Sequence, residues 1–216
     1  MKVKILFVAL SIVFFSCGNR NAKEAKTGDA VDVKKSEGVE YTISKDESNL
    51  YWRGTKPAGE HTGTVDITEG KAVVMDGNLT GGMVVIDLNS IENEDLSGDM
   101  NARLVGHLKS EDFFHVDEHP VASFTISGIT EKEGVEEGAP NFEITGNLTM
   151  RGVTKSITFP AWISVTGNTV KVKTDEFSID RTLWGVNFKS KSVFAEFKDD
   201  FIGDMINLKF DVNFTN

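Results

Sequence analysis

Few residues in this chain are of a type and spacing that could do chemistry. Two of its four histidines lie in His115-Val116-Asp117-Glu118-His119, which gathers two imidazoles and two carboxylates into five residues. Such a set suits a metal ion, but the i, i+4 spacing brings both rings to one face only in helical backbone. Pro120 disfavours a helix at His119, so the stretch reads as a surface loop and no metal site is expected. His107 shares an apolar helical face with Leu104 and Leu108. It reads either as a core histidine bonded to backbone or carboxylate, or as a contact for a ligand oxygen, since a neutral imidazole can donate or accept. Arg181 follows Phe177 and Ile179 at the same strand parity, which turns a guanidinium inward. There it needs a carboxylate such as Glu176 or Glu196, or a ligand anion. The acidic run from Glu131 to Glu137 reads as a solvated turn and matches no calcium-binding loop. The sequence holds no nucleophile elbow, phosphate loop, dinucleotide fingerprint or Cys/His zinc spacing. No catalytic residue is assigned, and an enzyme is not expected.

The single cysteine, Cys17, carries a different chemistry. Lys2 and Lys4 precede an apolar run from Ile5 to Phe15, and Ser16 is a small residue just before the cysteine. This reads as a signal peptide over residues 1–16, too short for a permanent span. Phe14-Phe15-Ser16-Cys17 then reads as a lipobox, with Phe14 where Leu is usual and the Cys17 thiolate as the nucleophile that takes a diacylglyceryl group. The expectation is a lipoprotein of the bacterial cell envelope, periplasmic or anchored at the outer membrane. Gly18, in place of the Asp that holds lipoproteins at the inner membrane, favours the outer one. One cysteine leaves no internal disulfide, so the domain is held by its core. A net charge of −10 argues against a nucleic-acid partner.

The elements that must position these residues are strands. Residues 17–39 hold scarcely an apolar side chain larger than Val and read as a flexible tether. Residues 40–216 form one domain. From Phe142 to Met150 the apolar side chains Phe142, Ile144, Leu148 and Met150 share one parity, the pattern of a half-buried strand. After Arg151-Gly152 the parity flips to Ile157, Phe159, Ala161, Ile163 and Val165, which predicts a tight turn or bulge between antiparallel strands. Ile206 to Phe214 alternates likewise, and shorter alternations occur at Tyr41–Ser44, Thr64–Thr68, Leu79–Leu88, Ala122–Ile126 and Thr169–Lys173. Turn signals stand at Asp76-Gly77-Asn78, Gly81-Gly82 and Thr166-Gly167-Asn168. Met100, Leu104, His107 and Leu108 instead recur at helical spacing, with Ser97 or Asp99 as the cap. Many short strands and one helix predict an all-β antiparallel barrel or sandwich.

The run His107-Leu108-Lys109-Ser110-Glu111-Asp112-Phe113-Phe114, followed by His119-Pro120 and Phe124, resembles a signature of the YceI-like family. Gly146-Asn147-Leu148-Thr149-Met150-Arg151-Gly152-Val153-Thr154-Lys155 is similar to that family's strand pair. His61-Thr62-Gly63 and Arg181 with Trp184-Gly185 fall where it often has a His-x-G and an Arg-x-x-Phe-Gly. The resemblance spans residues 40–216. His115 stands where the family usually has Asp, the Asp-Pro-Trp-Gly-type loop is absent, and the stretch from Thr158 to Thr169 is short.

The resemblance implies a lipocalin-like antiparallel barrel of about eight strands with one short helix packed beside it. It also implies a long amphiphilic lipid, a polyisoprenoid or isoprenoid quinone, held in the barrel without catalytic residues. Leu104, Leu108, Phe113, Phe124, Phe142, Ile144 and Leu148 are the expected lining, with His107 and Arg181 at the head group. No other cofactor is expected, and the membrane is met through the lipid anchor. Two other readings stand beside carriage of a lipid: an enzyme acting on an isoprenoid or fatty lipid, with His107 or His61 as acid or base, and a solid-core interaction module. The oligomeric state is left open.

Overall fold

Met150 and Val153 face each other across a two-residue turn in which Arg151 and Gly152 both take positive φ, 51° and 73°. Turns of this hand match the twist of the strands they join. Two intervening residues also explain the parity flip, because the inward set moves from even to odd positions. In the computed structural model, which describes residues 22–194 and 201–216, Ile144, Leu148 and Met150 are buried before the turn and Ile157, Phe159 and Ala161 after it. The expected signal peptide, Cys17 and Glu196 lie outside the described residues.

In chain order the elements are β1 (Lys23–Glu24), β2 (Lys26–Asp29), β3 (Val39–Ile43), β4 (Asn49–Lys56), β5 (Gly59–Met75), β6 (Asn78–Asn93) and α1 (Gly98–Lys109). They continue with β7 (Val121–Glu131), β8 (Phe142–Met150), β9 (Val153–Thr166), β10 (Thr169–Lys173), β11 (Phe177–Asp180) and β12 (Met205–Thr215). Antiparallel pairing runs from β4 through β5, β6, β7, β8, β9 and β10 to β12, which returns to β4 and closes a ring of eight strands. Of barrel and sandwich, the fold is the barrel, and closure leaves few open edges. The short β3 fills the slot between β5 and β12 beyond the end of β4.

The structure corrects the tether expectation over residues 23–29. β10 pairs only residues 162–166 of β9, and β12 pairs β10 only at residues 211–215. At the other end of the barrel this leaves β9 and β11 facing an opening. β2 pairs residues 155–158 of β9, and β1 runs parallel to β11. Ala25 between them is buried, and its N–H donates to the Ser178 carbonyl at 2.8 Å. Backbone hydrogen bonds hold this segment, since an open strand edge offers donors and acceptors to any chain that reaches it. Composition carries no trace of that.

α1 lies where the helical spacing put it, packed on β6, but Met100 is exposed instead of joining the inward face. Ser97 takes the extended N-cap conformation without a side-chain capping bond. Asn101 ties the helix start to β6 instead, donating to the Asn93 carbonyl at 2.7 Å. Gly81-Gly82, expected as a turn, lies inside β6. A Cβ on Gly82 would meet the Lys71 carbonyl oxygen at 2.7 Å, so the glycine permits close approach to β5.

Candidate ligand cavity

The barrel interior is not filled. The inward side chains of β4, β5, β6, β8 and β9, among them Leu50, Trp52, Val65, Ile86, Leu148 and Ile157, leave a cavity of ≈ 410 Å³. α1 contributes Leu104, His107 and Leu108 to its wall, and the turn after α1 contributes Phe113 and Phe114. The segments around Val186–Lys189 and Phe201–Gly203 complete the rim. A hollow interior counts against the solid-core alternative.

Aromatic rings close the cavity at depth. Phe159 stacks on Phe177 with centroids 4.5 Å apart and planes 4° from parallel. Phe210 tilts against both, and Phe124 lies 5.5 Å from Phe159. Phe124 and Phe210 also line a second, smaller cavity of ≈ 50 Å³. The two spaces are thus neighbours across an aromatic layer.

The ionisable lining is basic in type. Lys56, His61, His107, Arg181 and Lys189 contribute to the wall, and no Asp or Glu does among the described residues, in a chain of net charge −10. His61 is oriented by Asp95: its Nδ1 lies 2.7 Å from Asp95 Oδ2. Burial raises the Asp95 pKa, but hydrogen bonds from the Thr62 N–H, His61 and Asn93 outweigh it and hold the carboxyl at about 2. His107 Nε2 lies 3.0 Å from Asp112 Oδ2 at the half-exposed rim. Its ring stands edge-on to Phe113 and Phe188, with centroids 4.9 and 4.7 Å away.

Arg181 is turned inward as its parity predicted, yet its partners differ from those expected. Nε donates to the Gly203 carbonyl at 3.0 Å, and Nη2 donates to Phe188 at 3.0 Å and Ile202 at 3.1 Å. Nη1 donates to the Val186 carbonyl, and Asp204 Oδ1 lies 3.6 Å from Nη2. Burial pushes the guanidinium pKa down, against the attraction of Asp204 and Asp180. Glu176 pairs with Arg53 instead, through two bonds of 2.7 Å. Arg181 therefore borders the cavity mainly as a clamp on the rim segments.

Of the residues expected to line a tunnel, Leu104, Leu108, Phe113, Phe124 and Leu148 do line the main cavity, as do His107 and Arg181. Ile144 lines the smaller one, and Phe142 lines neither, because it begins β8 beyond the cavity's end. Sequence reasoning left out Trp52 and Phe210, and it left His61 out of the lining. Their signal was the alternation of Leu50 and Trp52 in β4 and the inward parity of Phe210 in β12. The 115–119 stretch lies outside any helix, as expected, but it folds into a turn: the His119 N–H donates to the His115 carbonyl at 2.8 Å. The bond spans residues 116–118, ahead of the residue that Pro120 restrains.

Comparison with known proteins places this geometry. A UPF0312 protein of Yersinia enterocolitica is 35% identical over 85 residues, which covers 39% of this chain and 38% of that protein. Protein YceI of Salmonella arizonae is 38% identical over 78 residues, 36% of this chain and 35% of its own. The chain thus spans well under half the length of these relatives. BcnA of Burkholderia cenocepacia superposes with a TM-score of 0.60 at 18% identity, over 79% of this chain and 98% of that one. A polyisoprenoid binding domain from Saccharophagus degradans, implicated in plant cell wall breakdown, gives 0.58 at 14%, over 81% and 97%. Both share the barrel fold. Residues 41–214 match the YceI-like domain, and the chain belongs to the YceI-like family.

Proposed function

We propose that the barrel binds a long-chain amphiphilic lipid, a polyisoprenoid or isoprenoid quinone, and carries or sequesters it without chemical change. The observation that carries this reading is the ≈ 410 Å³ cavity, mostly apolar, whose ionisable lining among the described residues is basic. That volume lies within the range of small-molecule pockets, roughly 300–1,000 Å³. Each buried methylene contributes about 0.8 kcal/mol, so the tail dominates affinity and the polar groups select the head. Among the described residues the ionisable lining is Lys, His and Arg without carboxylates, which favours an acceptor-bearing head, a quinone carbonyl or a phosphate oxygen, and disfavours a cationic one. The neighbour named as a polyisoprenoid binding domain supports the same ligand class.

The proposal places the barrel at the membrane surface of the cell envelope, anchored through Cys17. Because β1 begins at Lys23, the chain between anchor and barrel reaches at most roughly 20 Å at ~3.3–3.6 Å per residue. Cargo would be exchanged close to the bilayer. Purified from its own host, the protein should release an isoprenoid lipid on solvent extraction, identified by mass spectrometry. An empty extract, together with no binding of isoprenoid quinone or polyprenyl phosphate, would sink the reading.

The His61–Asp95 pair favours a second reading, an enzyme using His61 as acid or base. His61→Ala that retains lipid affinity but loses turnover of the bound lipid would select it.

A further inference from the structure

His115, Glu118 and His119 each offer one ligand atom, and these atoms all lie within 4.8 Å of one another. We propose that they form a site for a late first-row divalent metal ion, with Zn²⁺ the fitting probe. The turn closed by the His119 N–H and the His115 carbonyl sets both imidazoles on one face, their ring centroids 5.9 Å apart. His115 holds φ of 49°, a left-handed conformation uncommon for a residue with a side chain. The His119 ring lies against Gly152, where a Cβ would sit 3.2 Å from its Cε1.

The imidazoles are half-buried and under-partnered. His115 Nδ1 reaches Glu118 Oε2 only at 3.7 Å, and neither ring makes a hydrogen bond among the described residues. Two neutral imidazoles and one carboxylate form a borderline set, which suits Zn²⁺ or Cu²⁺ better than the hard cations Ca²⁺ and Mg²⁺. Bonds of about 2.0–2.1 Å in a tetrahedron set ligand atoms about 3.4 Å apart, so closure from 4.8 Å needs only side-chain rotation. A fourth position stays open for water. The site lies just past Phe113 and Phe114, so a bound ion would pin the turn that carries part of the cavity wall.

The test uses untagged full-length protein titrated with Zn²⁺, by calorimetry and thermal melts. One ion per chain and a raised melting temperature are expected, as for any ligand that binds the folded state alone. His115→Asn keeps a residue tolerant of positive φ, and His119→Gln keeps a polar ring-sized neighbour for Gly152. Each should melt like the parent without metal and lose more than about tenfold in Zn²⁺ affinity, the scale on which even outer partners matter. Absence of Zn²⁺ binding overturns the site. So does binding unchanged in both variants, or binding abolished instead by His61→Ala or His107→Ala.

Discussion

His61 Nδ1 lies 2.7 Å from Asp95 Oδ2, and the other oxygen of that carboxylate accepts the Thr62 N–H at 2.8 Å. The bidentate use of one carboxylate locks the ring against its own backbone neighbour. With Nδ1 engaged, Nε2 is the nitrogen left to a ligand in the cavity that His61 lines. Asn93, buried at the end of β6, also donates to Asp95 and thereby ties the pair to the start of α1 through Asn101.

Asp95→Asn should loosen this orientation without emptying the cavity. The lost ligand contact is that of one hydrogen bond, about 0.5–1.5 kcal/mol, or about two- to tenfold in Kd for an acceptor-bearing lipid. Its stability effect should depend on pH. A carboxyl whose folded-state pKa lies below its unfolded value contributes stability above the unfolded value and loses it as pH falls through the folded one. For Asp95 that window runs from 3.8 down to about 2. Urea midpoints of parent and variant should differ at pH 5, draw together as pH falls below 3.8, and converge only below about pH 2.

Arg181→Met should destabilise the rim more than any surface change. The guanidinium satisfies carbonyls of Val186, Phe188, Ile202 and Gly203, which Met leaves without a donor. Breaking a buried charged arrangement from one side costs about 3–5 kcal/mol. Lys should rescue little, because one ammonium cannot span the fork of donors. Equilibrium unfolding in urea measures both variants. An Arg181→Met protein as stable as the parent, with lipid affinity lost, would instead make Arg181 a head-group contact.

Phe124→Ala should join the two cavities. Phe124 is buried and lines both, so its removal costs about 3–5 kcal/mol of stability and opens the aromatic layer. The predicted gain is length: the variant should accept isoprenoid chains longer than the parent prefers, read by competition among quinones of graded tail length. An unchanged length preference would mean that the tail does not reach Phe124.

The barrel was legible because its strands alternate against a half-polar exterior, and most of the lining followed from the parity of Leu148 and Phe124 and the helical spacing of Leu104 and Leu108. The arginine's parity was legible too, but its partners were not. Carbonyls carry no side-chain identity, so sequence pointed to a carboxylate, Glu176 or Glu196, and Arg53 holds the first of these. The turn at His115 is closed by backbone bonds that no side chain announces, and Phe142 was misplaced because parity says which way a residue points but not how far along the barrel it sits. Residues 23–29 escaped for the most general reason: their pairing is made of backbone.

That pairing gives the last prediction. A flexible tether would exchange its amide hydrogens as fast as an unfolded peptide, whereas strands protect them. The Ala25 amide, bonded to the Ser178 carbonyl and buried, should exchange slowly, in contrast to the exposed residues 32–35 beyond β2. Ala25→Pro removes the donor and should release both β1 and β2, since each is too short to hold alone. The edges of β9 and β11 would then be open to another chain. Concentration-dependent association of the variant, seen by sedimentation, is the expected outcome, while the barrel itself stays folded. Fast exchange at Ala25 in the parent would return the segment to the tether.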